Sequence, residues 1–320
     1  MQLRADLVGV IILPFIIIGI LILTVAVAGY IVINRFFKIA FVRDDRERTA
    51  AQRLNVPWSI YIDDITKGEL NFFDMTAERV QITSYDGLKL RGLFVAHPNP
   101  KGTVIMMHGY RSDGFADFST LFGFYRSLGF NILLPHQRAH LTSEGKYITF
   151  GLKERYDCLY WANFVRQKTE GDIWLLGVSM GASTVMMAAS LNLPKRVKGI
   201  IADCGFTSPW DELKYVLKRD YHLPPFPIMH LVNRRFKRIC GVGLKDLSCT
   251  DTLKKCSMPV LFIHGSADDF VPCDMTTENY NACKAPKQKY ISAGAAHAVT
   301  CWVDPRGYRQ GVRNFIEKYS

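Results

Sequence analysis

The sequence predicts an α/β domain with a mostly parallel sheet and helices on both faces, set behind a single membrane-spanning helix. Three observations carry this. Strand-like and helix-like segments alternate from Thr103 to the C-terminus, which implies a parallel sheet covered on both sides. The run from Leu7 to Ile33 holds no charged side chain and exceeds the roughly 20 residues that cross a bilayer. Finally, Gly177-Val178-Ser179-Met180-Gly181 stands between an apolar run and a helical one, the position of a tight strand-to-helix turn that lifts a serine hydroxyl above a sheet.

A chain of 320 residues is long enough to bury a substantial core in one large domain. Residues 7–33 supply much of its apolar excess. A buried core helix is rarely apolar on every side for this length. Ala26-Val27-Ala28 resembles a signal-peptidase site, but the apolar core is too long, Arg4 is the only basic side chain before it, and apolar residues resume after Gly29. A retained anchor is the expectation. Arg35, Lys38, Arg43, Arg46, Arg48 and Arg53 follow the span, so the positive-inside rule puts the large C-terminal part in the cytoplasm, the chain being a single-pass membrane protein.

The eight cysteines form no C-x-x-C pair, and a domain of this size needs no disulfide staples, in keeping with a reducing compartment. The net charge of +11 is either solvated surface or attraction to an anionic membrane. No zinc-finger, helix-turn-helix or aromatic RNA-binding pattern accompanies it, so no nucleic-acid partner is expected.

Residues 34–79 read as a polar connector, with Phe36, Phe37, Ile39, Phe41 and Val42 expected along the membrane interface. Residues 80–320 form the main domain. It opens with two alternating apolar/polar strands, Arg79–Tyr85 and Leu88–Val95, around the hairpin signal Asp86-Gly87. Strand Thr103–Met107, helix Phe115–Leu128, strand Phe130–Leu134 and amphipathic helix Lys153–Lys168 follow. After the Ser179 turn and strand Val197–Ala202 the alternation pauses. A proline-containing, irregular insert spans about 207–258, and strand Pro259–His264, strand Gln288–Ile291 and helix Tyr308–Tyr319 complete the domain.

A serine is a poor nucleophile unless a base takes its proton, and the base needs an acid to orient it. Asp268 lies just past the Pro259–His264 strand and His297 sits in a Gly/Ala loop after the last strand. Ser, acid, His is a workable order, and the ends of parallel strands are where such sheets form sites. No histidine spacing matches a metal motif, so no metal and no cofactor are expected.

Taken together, His108-Gly109, Ser143-Glu144-Gly145 through Gly151, Gly177 to Gly181, the Asp268 segment and the His297 loop resemble the α/β-hydrolase-fold serine hydrolases, in the group of serine aminopeptidases and BEM46-type proteins. The resemblance covers roughly Val80 to Tyr319. It implies an α/β-hydrolase fold with Ser179, Asp268 and His297 as the triad, the acid being the first of two adjacent aspartates, with Asp269 and Asp203 as alternatives. It also implies an oxyanion hole from the backbone amides of Met180 and Tyr110, with His108 structural. His108-Gly-Tyr-Arg-Ser-Asp113 also spells an acyltransferase-like H-x4-D, which the oxyanion loop already accounts for. The chain departs from the family's D-x-R-G-x-G-x-S at His136-Gln-Arg138-Ala139-His140-Leu141-Thr-Ser143, which bears on substrate fit rather than on the triad.

The insert is the expected lid. Trp210, Leu213, Val216 and Met229 either line an acyl pocket or pack the cap's own core. The implied activity is cleavage of a carboxylic ester or related acyl bond in a small substrate, with membrane lipid as the partner of the N-terminal helix. Peptidase action on short peptides, or a non-catalytic binding protein on a hydrolase fold, are the alternatives.

Overall fold

The computed structural model describes residues 2–44 and 58–320. Its centre is an eight-stranded sheet: β1 (Glu78–Thr83), β2 (Lys89–Val95), β3 (Gly102–Met107), β4 (Phe130–Pro135), β5 (Asp172–Val178), β6 (Val197–Asp203), β7 (Val260–Gly265) and β8 (Lys287–Ser292), in spatial order β1-β2-β4-β3-β5-β6-β7-β8. β1 and β2 form the expected hairpin, with Thr83 opposite Lys89 and Gly87 at φ 87° in the turn. β2 meets β4 antiparallel, and every later pairing is parallel.

Strands β3, β4 and β7 are buried at every position, as a parallel sheet with both faces covered requires. Successive side chains point to opposite faces, so the strands feed two cores. Ile105, Leu133, Leu175 and Ile200 enter one, and Val104, Met106, Ile132, Leu134, Leu176 and Ile201 enter the other. Helices α3 (Phe115–Ser127) and α11 (Pro305–Tyr319) cover the second face through Phe118, Phe122, Val312 and Phe315. Helices α4 (Glu154–Lys168) and α5 (Met180–Ala188) cover the first through Trp161, Val165 and Val185.

The insert differs from expectation. It is largely helical: α6 (Pro209–Tyr221), α7 (Pro225–Cys240) and α8 (Cys249–Leu253). Pro209 sits in the first turn of α6, where the missing N–H has no intrahelical partner to lose, whereas α7 is kinked at Phe226 (φ −96°, ψ 133°), just after Pro225. Ser208 caps α6 by accepting the Asp211 amide at 3.0 Å. Pro209 therefore starts a helix rather than breaking one. Helices α9 (Cys273–Ala282) and α10 (Thr300–Val303) complete the set.

The connector is also more ordered than its polarity predicts. Helix α2 (Ile62–Phe73) buries Ile65, Gly68 and Phe72, one stripe at helical spacing. Phe72 meets Phe122 with ring centroids 4.5 Å apart. Residues 45–57 of the expected connector, with Arg46, Arg48 and Arg53, lie outside the described residues.

The N-terminal helix α1 runs without interruption from Gln2 to Phe41. Leu13–Phe41 is long and apolar enough to cross a membrane, and its most apolar window is not buried against the domain. The expected boundary at residue 33 therefore falls inside a continuous helix. Phe36, Phe37 and Phe41 face the domain and not lipid, since all three are buried in the first core, while Ile39 stays exposed. Phe41 packs on Phe236 of α7 at 4.6 Å and on Phe150 at 5.8 Å. Ile148 N–H donates to the Phe41 carbonyl at 2.8 Å. A helix end rich in aromatics gains more from this burial than from a headgroup boundary.

Because Phe41 is fully buried, Phe41→Ala should cost about 3–5 kcal/mol of domain stability, measured by chemical denaturation of the full chain in detergent. A loss under about 1 kcal/mol would show that the end of α1 is not part of the core.

Candidate active site

Ser179 lies between β5 and α5 with φ 54° and ψ −117°, a conformation that costs a non-glycine residue on the order of 1–3 kcal/mol. Neighbouring glycines make it attainable. A Cβ on Gly177 would lie 2.2 Å from the Gly181 carbonyl oxygen, and one on Gly181 would lie 1.8 Å from that of Met107. The Ser179 amide donates to the Asp203 carbonyl at 2.8 Å, fastening the turn to the end of β6.

The loops after β7 and β8 bring the other two residues to this turn. His297 Nε2 lies 3.0 Å from Ser179 Oγ, and His297 Nδ1 lies 2.7 Å from Asp268 Oδ2. Asp268 Oδ1 accepts the Phe270 and Val271 amides, each at 2.9 Å. Burial opposes its charge, but His297, His264 and these hydrogen bonds outweigh it and hold the carboxyl well below the usual range. Asp268 is therefore the ionised partner of His297.

Neither alternative acid reaches His297. Asp269 is exposed, and its carbonyl accepts from Tyr215 Oη of the insert at 3.0 Å. Asp203 is buried at the end of β6, where burial pushes its carboxyl up to about 6.

The proposed oxyanion loop passes directly over the serine. An ideal Cβ on Gly109 would lie 3.6 Å from Ser179 Cβ. The Gly109 amide is taken by Asp117 Oδ2 at 2.7 Å, and Tyr110 is the next residue along. Met180 opens α5, where the first amides have no intrahelical acceptor. Tyr110, Ser179 and Met180 line one cavity.

His108 is structural as expected. Its Nδ1 faces the Gly109 carbonyl at 2.8 Å and its Nε2 accepts the Gln137 amide at 3.0 Å, pinning the loops after β3 and β4 together. Asp113 instead caps α3 by accepting the Phe115 amide at 3.0 Å, so the acyltransferase-like pattern is coincidental.

The unusual 136–143 loop keeps a glycine-like backbone without glycine. Ala139 and Leu141 have φ 60° and 46°. His140 Nε2 accepts the Arg111 amide at 3.0 Å, which fixes the strand-β3 loop. Burial lowers both His136 and His140 to about 4, so they act as neutral braces. Arg138 anchors the loop through paired 2.6 Å bonds to Asp157.

Several contributors escape sequence reasoning. His264 places Nε2 3.0 Å from Asp268 Oδ2 and 2.8 Å from the Val271 carbonyl, while Nδ1 lies 2.7 Å from Thr276 Oγ1. Its four-residue spacing from Asp268 was the available signal. Asp117 had none, since it works through a backbone amide across the fold. Cys204, Asp268 and His297 converge closely enough to suggest a metal site among the described residues. Burial and the nearby carboxylates hold the Cys204 thiol protonated, however, and Asp268 is already saturated by its own donors. That donor set does not suit a metal.

The cavity at Ser179 measures about 160 Å³ and is walled by Phe150, Phe206, Leu213, Val216 and Phe270, together with Phe36, Ile39 and Ala40 of α1. Of the insert residues singled out above, Leu213 and Val216 line it, whereas Met229 packs in the core. One wall residue is anomalous. Glu212 is buried, neither carboxyl oxygen has a hydrogen-bond partner, and burial, reinforced by Asp268, drives its pKa well above the usual value.

An acid with a raised folded-state pKa binds more protons folded than unfolded, so its stabilisation is lost as pH rises from the unfolded value towards the folded one. Glu212→Gln should therefore reduce the fall in melting temperature between pH 5 and pH 8, compared by thermal unfolding. An unchanged pH dependence would place the carboxyl in contact with water.

The α/β-hydrolase-fold family model matches residues 102–225. The chain is 29% identical to YqkD of Bacillus subtilis over 249 residues, 77% of this chain and 81% of that protein. It is 24% identical to bem46 of Schizosaccharomyces pombe over 250 residues, 76% and 78% of the two chains. Among solved structures it is similar to the Pyrococcus furiosus esterase Pf2001, with TM-score 0.65 and 24% identity, covering 78% of this chain and 93% of that one. It is also similar to Est1E of Butyrivibrio proteoclasticus, with TM-score 0.60 and 19% identity over 75% and 98%. With this strand order and this elbow, the chain has the α/β-hydrolase fold, and its sequence is similar to YqkD and bem46.

Proposed function

We propose that the protein is a membrane-anchored serine hydrolase that cleaves a carboxylic ester or related acyl bond. The observation that carries this is the continuous chain from Ser179 Oγ through His297 to Asp268, with links of 3.0 and 2.7 Å. Support for an ester comes from the neighbour Pf2001, an esterase, and the apolar cavity beside the serine suits an acyl chain.

In this mechanism Ser179 Oγ attacks the substrate carbonyl carbon while His297 Nε2 takes its proton. The Tyr110 and Met180 amides receive the oxyanion, an interaction worth a few kcal/mol of barrier. Collapse breaks the bond to the alcohol, which leaves with the proton from His297. Water, deprotonated by the same imidazole, then releases the acid and restores the serine. Asp268 keeps Nδ1 protonated and stabilises the imidazolium. In this reading helix α1 anchors the domain to a membrane, and the basic residues after it favour the cytoplasmic side by the positive-inside rule.

A fluorophosphonate probe should label the wild type at Ser179 and leave Ser179→Ala unlabelled. Asp268→Asn should lower kcat on a p-nitrophenyl ester on the order of 10⁴-fold by favouring the wrong tautomer, and aminoacyl anilides should turn over more slowly than esters. Labelling of a folded Ser179→Ala protein would sink the mechanism.

A further inference from the structure

We propose that the substrate is a membrane-resident, long-chain acyl ester that reaches Ser179 from the bilayer along the last turns of α1; this rests on the serine-hydrolase reading above. The central observation is a shared wall. Phe36, Ile39 and Ala40 belong to the helix that carries the apolar span, yet they line the same cavity as Ser179 and Met180.

The helix is unbroken between the two roles. Side chains from Leu13 to Tyr30 are almost all exposed, whereas Phe36, Phe37, Ala40 and Phe41 are buried in the domain. From Ile33, the end of the uncharged run, to Ile39 at the cavity the helix rises about 9 Å. With the apolar run in hydrocarbon, the cavity lies at headgroup depth rather than out in solution.

The mouth suits a lipid chain. Ile39 is 51% exposed, and Phe36 meets the exposed Tyr221 edge-on at 5.5 Å. Apolar rims of this kind are costly beside water and favourable beside acyl chains. Arg35 and Lys38 on α1, with Arg234 and Arg238 on the adjoining α7, are exposed around the same end, where they suit an anionic leaflet.

The wall is also fixed to the catalytic loop. Tyr110 Oη donates to the Ile39 carbonyl at 2.8 Å, and Arg111 donates to the Tyr110 hydroxyl at 2.6 Å and to the Val42 carbonyl at 2.8 Å. Ile39 carries a late carbonyl of α1, which helix geometry leaves without an internal partner, and Val42 follows directly after the helix. The cavity of about 160 Å³ is smaller than the roughly 300 Å³ minimum of pockets that enclose drug-sized ligands. It accommodates the ester and the start of the chain, and the rest lies against α1.

The test uses the full chain reconstituted in phosphatidylcholine–phosphatidylglycerol vesicles. A fluorogenic long-chain ester is placed either in the same bilayer or in separate protein-free vesicles. A short water-soluble ester and a fluorophosphonate report the triad independently. The same-bilayer rate should exceed the separate-vesicle rate about tenfold or more, and Ile39→Trp should lower long-chain turnover about tenfold relative to short-ester turnover. Equal rates in the two arrangements, or no long-chain turnover while labelling and short-ester hydrolysis persist, would overturn the inference and leave the hydrolase reading standing. Loss of both labelling and short-ester hydrolysis in the wild type would remove the reading itself.

Discussion

The site depends on a steric constraint at the turn after β5. The backbone at Gly181 passes so close to the Met107 carbonyl that no side chain fits, and Ser179 is held at positive φ between two such glycines. The strain is local, whereas the forces that sustain it are distributed. β5 is paired with β3 on one side and β6 on the other, and the Ser179 amide is tied to Asp203. A turn of this kind persists only when its surroundings over-determine it, and here the centre of the sheet does so. The same crossing that excludes a Cβ lifts the hydroxyl towards the loops from β7 and β8.

Around that turn, charge is concentrated in one group and suppressed in the others. Asp268 accepts two backbone amides and faces two imidazoles, so it stays ionised although buried. His136 and His140 are held neutral by burial, and Asp117 is pushed up to about 6. His140 and Asp117 make directional hydrogen bonds to the β3 loop, through the Arg111 and Gly109 amides, while neutral His136 braces Thr142. Glu212 breaks this pattern, since it is buried in the cavity wall without a partner. Burying an unpaired polar group opposes stability, and such features concentrate at sites where stability is traded for function.

Helix α1 joins two environments that are usually separated by a flexible linker. Its exposed apolar length suits lipid, and its last turns complete the first core beside Phe150 and Phe236. Continuity of the helix fixes the α/β domain relative to the apolar length of α1. A tether of disordered residues would leave that placement undetermined.

Much of this was legible from local pattern. The βα alternation, the Asp86-Gly87 hairpin, the uncharged run and the order Ser179, Asp268, His297 are properties of short stretches and their sequence, and periodicity and turn chemistry act at that range. The family motif also put Asp268 ahead of Asp269 and Asp203, but the meeting of its carboxylate with His297 depended on the geometry of the loops after β7 and β8. Helix α2 is hard to see in the sequence because its stripe of Ile65, Gly68 and Phe72 is thin within a polar segment, and the prolines of the insert look like breakers without knowledge of where the helices begin. No local signal could assign Phe36, Ile39 and Ala40 to the cavity or Asp117 to Gly109. Those contacts join segments far apart in the chain, and only the packing of α1 against the insert and the sheet brings them together.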